Sequence, residues 1–246
     1  MPTPSPSSSI QTYARLAGLG YLIIIVTGIF AEFFVRSGLI VPGDAAATAA
    51  NILGDQELFR LGMASEFLML LSDAALALAL YVIFRPYSRN LALLAAFFRL
   101  AHAAVVGGNL LNTYVPLLLL GDAAYLSSFS PDQLHGLVLL FLNAHSFGYV
   151  IGLTFFGAHC LVLGYLVARS GYVPGFLGIL LFIAGLGYLT DSFAQALLPN
   201  YADLSGLFML VVFLPAFIGE VSFCLWLLVK GVRLPASHGN PQGATV

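Results

Sequence analysis

Apolar runs long enough to cross a bilayer alternate with short polar turns along the chain. A hydrocarbon core about 30 Å thick needs roughly 20 apolar residues at about 1.5 Å of helical rise each. The pattern predicts six membrane spans, at about 13–35, 59–84, 91–120, 134–168, 176–198 and 207–229. The run 134–168 is long for one span, but either half would be too short. It is read as a single tilted or kinked helix, with Ser130-Pro131-Asp132 as its start signal. An alanine-rich piece ending at Gly54 predicts a short helix on the membrane surface.

Composition agrees with this reading. Hydrophobic residues make up 60% of the 246 and charged residues only 8%, with mean hydropathy +0.96. A soluble domain carries roughly 25% charged residues, so too few are present to cover a water-facing surface. The expected fold class is therefore all-α, an integral membrane bundle of about six transmembrane helices, with the third span central. Residues 1–11 and 233–246 are polar or Pro/Gly/Ser-containing and are expected to be disordered arms flanking one domain, 12–232. The basic residues Arg15, Arg85, Arg89, Arg169, Lys230 and Arg233 collect on one face. That bias predicts a plasma-membrane protein with both termini cytoplasmic. Net charge is −2, and no basic cluster points to nucleic acid. The pattern leaves the oligomeric state open.

Polar positions inside the spans carry the candidate chemistry, because charges in lipid are costly. In the third span Arg99, His102, Val106, Asn109 and Thr113 recur at three- and four-residue spacing and form one stripe. That stripe must face other helices. Counting helical rise from the predicted cytoplasmic ends places Asp73, Arg99, His102, His159 and Glu220 roughly 12–17 Å deep. Glu32, Glu66, Asn109, His145 and Asp191 fall roughly 24–35 Å deep, with Asn112 beside them and Arg36 and Arg60 near the rim. Two polar layers are expected. In the inner one, Arg99 needs one carboxylate for a bidentate pair, which leaves the other of Asp73 and Glu220 to be protonated, paired with a histidine, or solvated by a cavity.

Several chemistries fit these residues. The inner layer is a candidate site for a small ligand, a lipid or a proton. His102, His159 and Asp73 or Glu220 have the donor types of a zinc site, which would suit an intramembrane metal-dependent hydrolase, but Arg99 beside them would repel a cation. His145 and His159 are spaced as in helices that stack two haems, yet the third span offers only His102 as partner. No cofactor is expected. No mid-membrane lysine is present for a Schiff base, and no Gly-rich phosphate loop. In the remaining reading the polar layers only fix which helices meet, as in a structural or accessory subunit.

The opening ARLAGLGYLIIIVTGIFAEFF, the segment YVIFRPYSRNLALLAAFFRLAHA and the six-span layout resemble the bacterial membrane family catalogued as domain of unknown function 4386. The resemblance runs from about Tyr13 to Val232 and includes an arginine inside the third span, here Arg99. Because that family is uncharacterised, the resemblance implies a fold and a membrane location, and no catalytic residue.

Overall fold

A computed structural model describes residues 6–233. Six helices in it are long and apolar enough to cross a membrane. Helix α1 begins at Pro6 and runs as α-helix to Ile29, then through a π-helical stretch, Phe30–Arg36, to Leu39. A short helix α2 (Ala45–Gly54) follows, then α3 (Gln56–Phe84), α4 (Arg89–Leu119), α5 (Pro131–Ser170), α6 (Gly175–Leu197) and α7 (Tyr201–Val229). Helix α7 holds a second π-helical stretch, Met209–Phe213.

Local chemistry accounts for the breaks. Asp44 and Asp55 accept hydrogen bonds from the amides of Ala47 and Leu58, at 2.9 and 3.0 Å, and so cap α2 and α3. Ser130 and Gln133 form a reciprocal capping box at the start of α5, with Pro131 in the first turn. Gly171 ends α5 at φ 72°, the left-handed conformation that glycine adopts without strain. The α5 run is one helix of 40 residues. At about 60 Å it is twice the hydrocarbon thickness and extends beyond it.

Two expectations need correction. Residues 6–11 belong to α1, where the Gln11 side chain holds the segment after α7: its amide donates to the Val232 carbonyl and its oxygen accepts from the Val232 amide at 3.3 Å. Residues 1–5 and 234–246, read as arms, lie outside the described residues. Secondly, the hub is the fourth span and not the third. In α5, 61% of the most apolar window is buried, against 28% in α4. The reason is backbone contact. Gly157 and Gly164 of α5 meet Gly185 and Gly178 of α6, and a Cβ on Gly164 or Gly185 would sit 2.7 Å from the facing carbonyl oxygen. Small residues in register let two membrane helices approach this closely. On the α4 side, a Cβ on Gly152 would sit 2.7 Å from Val106.

The Gln11–Val232 contact places the start of α1 and the end of α7 on one face of the bundle. Near this face α1 and α7 pack tightly, with Tyr21 edge-on to Phe223 at 5.6 Å and Gly18 against Leu228. A large apolar core there includes Leu76, Ile83, Leu163, Leu177 and Leu227. Toward the opposite face α1 and α7 part.

Candidate functional site

All five stripe residues of α4 are buried: Arg99, His102, Val106, Asn109 and Thr113. Their answering groups fall into two separate clusters and a cleft.

Arg99 is fully buried at the centre of the first cluster. Its Nη2 lies 2.6 Å from Asp73 Oδ1 on α3, as an ion pair whose N–H does not point along the contact. Its Nη1 donates to His159 Nε2 at 3.1 Å and to the Tyr21 hydroxyl at 3.4 Å. Because His159 Nε2 accepts, the proton sits on Nδ1, which donates to the Ala95 carbonyl at 2.8 Å. His102 Nδ1 donates to the Gly152 carbonyl at 3.0 Å, and its Nε2 faces Asp73 Oδ2 at 3.8 Å. The guanidinium is stacked between Tyr21 and Phe156, at 5.0 and 5.4 Å. Four helices are tied here, and the group is sealed. The guanidinium also stands between Asp73 and His159, where a metal shared by those side chains would sit. Among the described residues no group of three or more His, Cys, Asp or Glu side chains is arranged to hold a metal ion.

Glu220 is not in that cluster. Its Oε1 accepts from the Tyr188 hydroxyl at 2.7 Å, and it lines the cleft described below. The depth count sets its height on α7 but not the direction it faces.

The second cluster centres on Arg36, at the end of the π-helical stretch of α1. Its Nε donates to Glu32 at 2.7 Å, and its Nη1 pairs with Glu66 of α3. Nη1 also lies 3.4 Å from His145 Nε2 on α5. With that nitrogen accepting, His145 Nδ1 carries the proton and donates to Thr113 Oγ1 at 2.9 Å. Asn109 donates to the His145 carbonyl at 2.8 Å and accepts from Asn112 at 3.0 Å. The structure thus brings together Glu32, Glu66, Asn109, Asn112 and His145 around an arginine that the sequence pattern put at the rim. Asp191 stands apart. Fully buried on α6, it accepts from Tyr201 at 2.6 Å and from Gln195 at 2.9 Å, and so ties the start of α7 to α6.

Between the parted halves of α1 and α7, backed by α5 and α6, lies a cavity of ≈ 1180 Å³. Apolar side chains such as Ile25, Phe33, Leu153, Leu210 and Phe217 form most of its wall. Arg36, Glu32 and His145 stand at one end, and Glu220 with Tyr188 at another point of the wall. Phe33, Leu210 and Phe217 are exposed on the flanks, so the opening faces the bilayer side of the bundle. Both π-helical stretches border it, through Phe33 and Arg36 on α1 and Met209 and Phe213 on α7. Such segments are rare and concentrate at functional sites. Arg99, Asp73, His102 and His159 do not line it; Phe156 stands between them and Tyr188, 5.4 Å from the tyrosine ring.

Comparison with known proteins gives two matches. Residues 16–231 match the family model described as Domain of unknown function (DUF4386). An uncharacterized protein of Archaeoglobus fulgidus is 34% identical over 175 residues, which cover 71% of this chain and 86% of the relative. No solved structure matches.

Proposed function

The chain belongs to the DUF4386 family, whose description assigns no activity, and from its own geometry we propose that it binds an amphiphilic molecule in the cleft between α1 and α7. One observation carries this reading. The cleft is large and apolar-walled, opens toward lipid, and has charged groups only at defined points. A small polar substrate would leave the apolar wall wet. A pure hydrocarbon would leave the cleft-facing sides of Arg36, Glu32 and Glu220, beyond the partners they already have, unsolvated. A molecule with an apolar body and a polar group satisfies both requirements. Entry from the side needs no passage through the packed core. The positive-inside bias, with Arg15, Arg85, Arg89, Arg169, Lys230 and Arg233 toward the face of the Gln11–Val232 contact, favours that face as cytoplasmic. The cleft would then serve the outer half of the membrane.

The first cluster takes a different role in this reading. Arg99 with Asp73, His102 and His159 is a dry tie between helices, and the complete burial of Arg99 and His159 favours that role over ligand handling. The metal-hydrolase reading loses support because the guanidinium occupies the space between its ligands.

Bulk introduced into the cleft tests the proposal. Gly28 and Gly206 both line it, and a Cβ at either meets nothing within 4 Å. Native mass spectrometry of the purified protein is expected to show a tightly retained amphiphile in the wild type. In Gly28→Trp and Gly206→Trp its occupancy should fall at least fivefold, with melting unchanged. Equal retention in all three proteins would overturn the reading.

A further inference from the structure

We infer that the amphiphile carries a positive charge, with Glu220 as its counter-ion; the inference rests on the cleft being a binding site. The charge pattern of the cleft points this way. Among the described residues that line it, Arg36 is the one permanent cation, and it is already held by two carboxylates, Glu32 and Glu66. An anionic headgroup arriving there would have to displace one of them. Glu220, by contrast, has no arginine, lysine or histidine nitrogen within 4.0 Å among the described residues. Its Oε1 holds only the Tyr188 hydroxyl, a neutral donor. Behind the wall, Arg99 and Asp73 also act on Glu220 but pair with each other; with Glu66 counted, Arg36 then stands against three carboxylates among the described residues, so the potential inside the cleft favours a cation.

The surroundings of Glu220 fit the same guest. Tyr188 and Phe213 meet edge to face at 5.9 Å, and Phe217 completes an aromatic flank on the same wall. Aromatic faces attract a weakly hydrated cation, most strongly away from water. A carboxylate in a membrane span is stabilised by a counter-charge that arrives with its own apolar cover. The guest class is therefore a lipophilic cation: an ammonium or phosphonium centre on an apolar body. Two sources share that chemistry, the ammonium headgroup of a zwitterionic lipid and a free hydrophobic amine.

Tetraphenylphosphonium and tetraphenylborate, nearly alike in size and opposite in charge, separate charge from shape. With the full chain in nanodiscs, tetraphenylphosphonium should bind saturably. Glu220→Gln, which can still accept from Tyr188, should weaken it at least tenfold, and Tyr188→Phe should weaken it less. Gly28→Trp should also reduce binding, and tetraphenylborate should not compete. Competition by a short-chain phosphatidylethanolamine would mark the lipid headgroup as the source; competition by a dodecylammonium ion alone would mark a free amine. Unchanged tetraphenylphosphonium affinity in Glu220→Gln overturns the inference. Equal binding of the borate, lost in Gly28→Trp, overturns it too while leaving the cleft reading intact. No saturable binding of either ion also overturns it, and the amphiphile-retention experiment then decides the cleft reading on its own.

Discussion

Arg99 and Arg36 are built from the same parts: a guanidinium, a buried carboxylate of α3, a histidine of α5 and an aromatic ring. They differ in what lies on the remaining side. Arg99 is closed by Tyr21 and Phe156, and none of it is exposed. Arg36 has a second carboxylate, Glu32, that is half exposed, and keeps 19% of its own side chain accessible beside the cleft. A closed ion pair in a low-dielectric interior specifies which helices meet. An open one can exchange partners with a guest. The difference arises from position: Arg99 lies within regular helix among α1, α3 and α5, whereas Arg36 ends a π-helical stretch beside the gap left by α7.

The comparison can be broken by substitution. The largest effect is expected for Arg99→Ala, which strands Asp73 in the core and should cost about 3–5 kcal/mol, seen as a lower melting temperature or loss of monodisperse protein. Combining Arg99→Met with Asp73→Leu should recover most of that stability, because replacing a whole buried pair by apolar groups is often near neutral. If the double variant is as unstable as Arg99→Ala, the cluster does more than tie helices. Arg36→Gln is next. It removes charge-assisted hydrogen bonds worth about 1–3 kcal/mol and frees Glu66 and Glu32, so the protein should still purify but bind tetraphenylphosphonium more tightly. Weaker binding would contradict the assignment of Arg36 as an already neutralised cation. The smallest effect is expected for Glu32→Gln, an exposed helical pair, where melting should move by no more than the equivalent of about 0.5 kcal/mol.

Much of the fold was legible because a bilayer imposes length and polarity on every span. The six spans, the single long α5 and the inward stripe of α4 all follow from that rule. Depth also limited the carboxylate partner of Arg99 to Asp73 or Glu220, without choosing between them; the structure has Asp73. Rise along a helix gives height, however, and not direction. Hence Glu220, at the right depth for Arg99, turned out on the cleft wall, and Asp191, at the depth of His145, turned out beside Tyr201. Arg36 was placed at the rim because a loop follows closely; nothing in FAEFFVR announces a π-helical stretch. The centrality of α5 was written in the seven-residue spacing of Gly157 and Gly164, matched by Gly178 and Gly185. Among 25 glycines that register does not stand out until the helices are paired.

The Gln11–Val232 latch has a consequence for biogenesis. Of the six spans described, α1 is made first and packs beside α7, made sixth, so this bundle closes only after α7 has been synthesised. Until α7 arrives, the flank of α1 that will carry Tyr21 against Phe223 is open to lipid. The cleft lies on this same seam, where α1 and α7 are zipped at one face and left unzipped at the other. A guest taken up there could be enclosed as the protein matures, before the mature protein ever has to open.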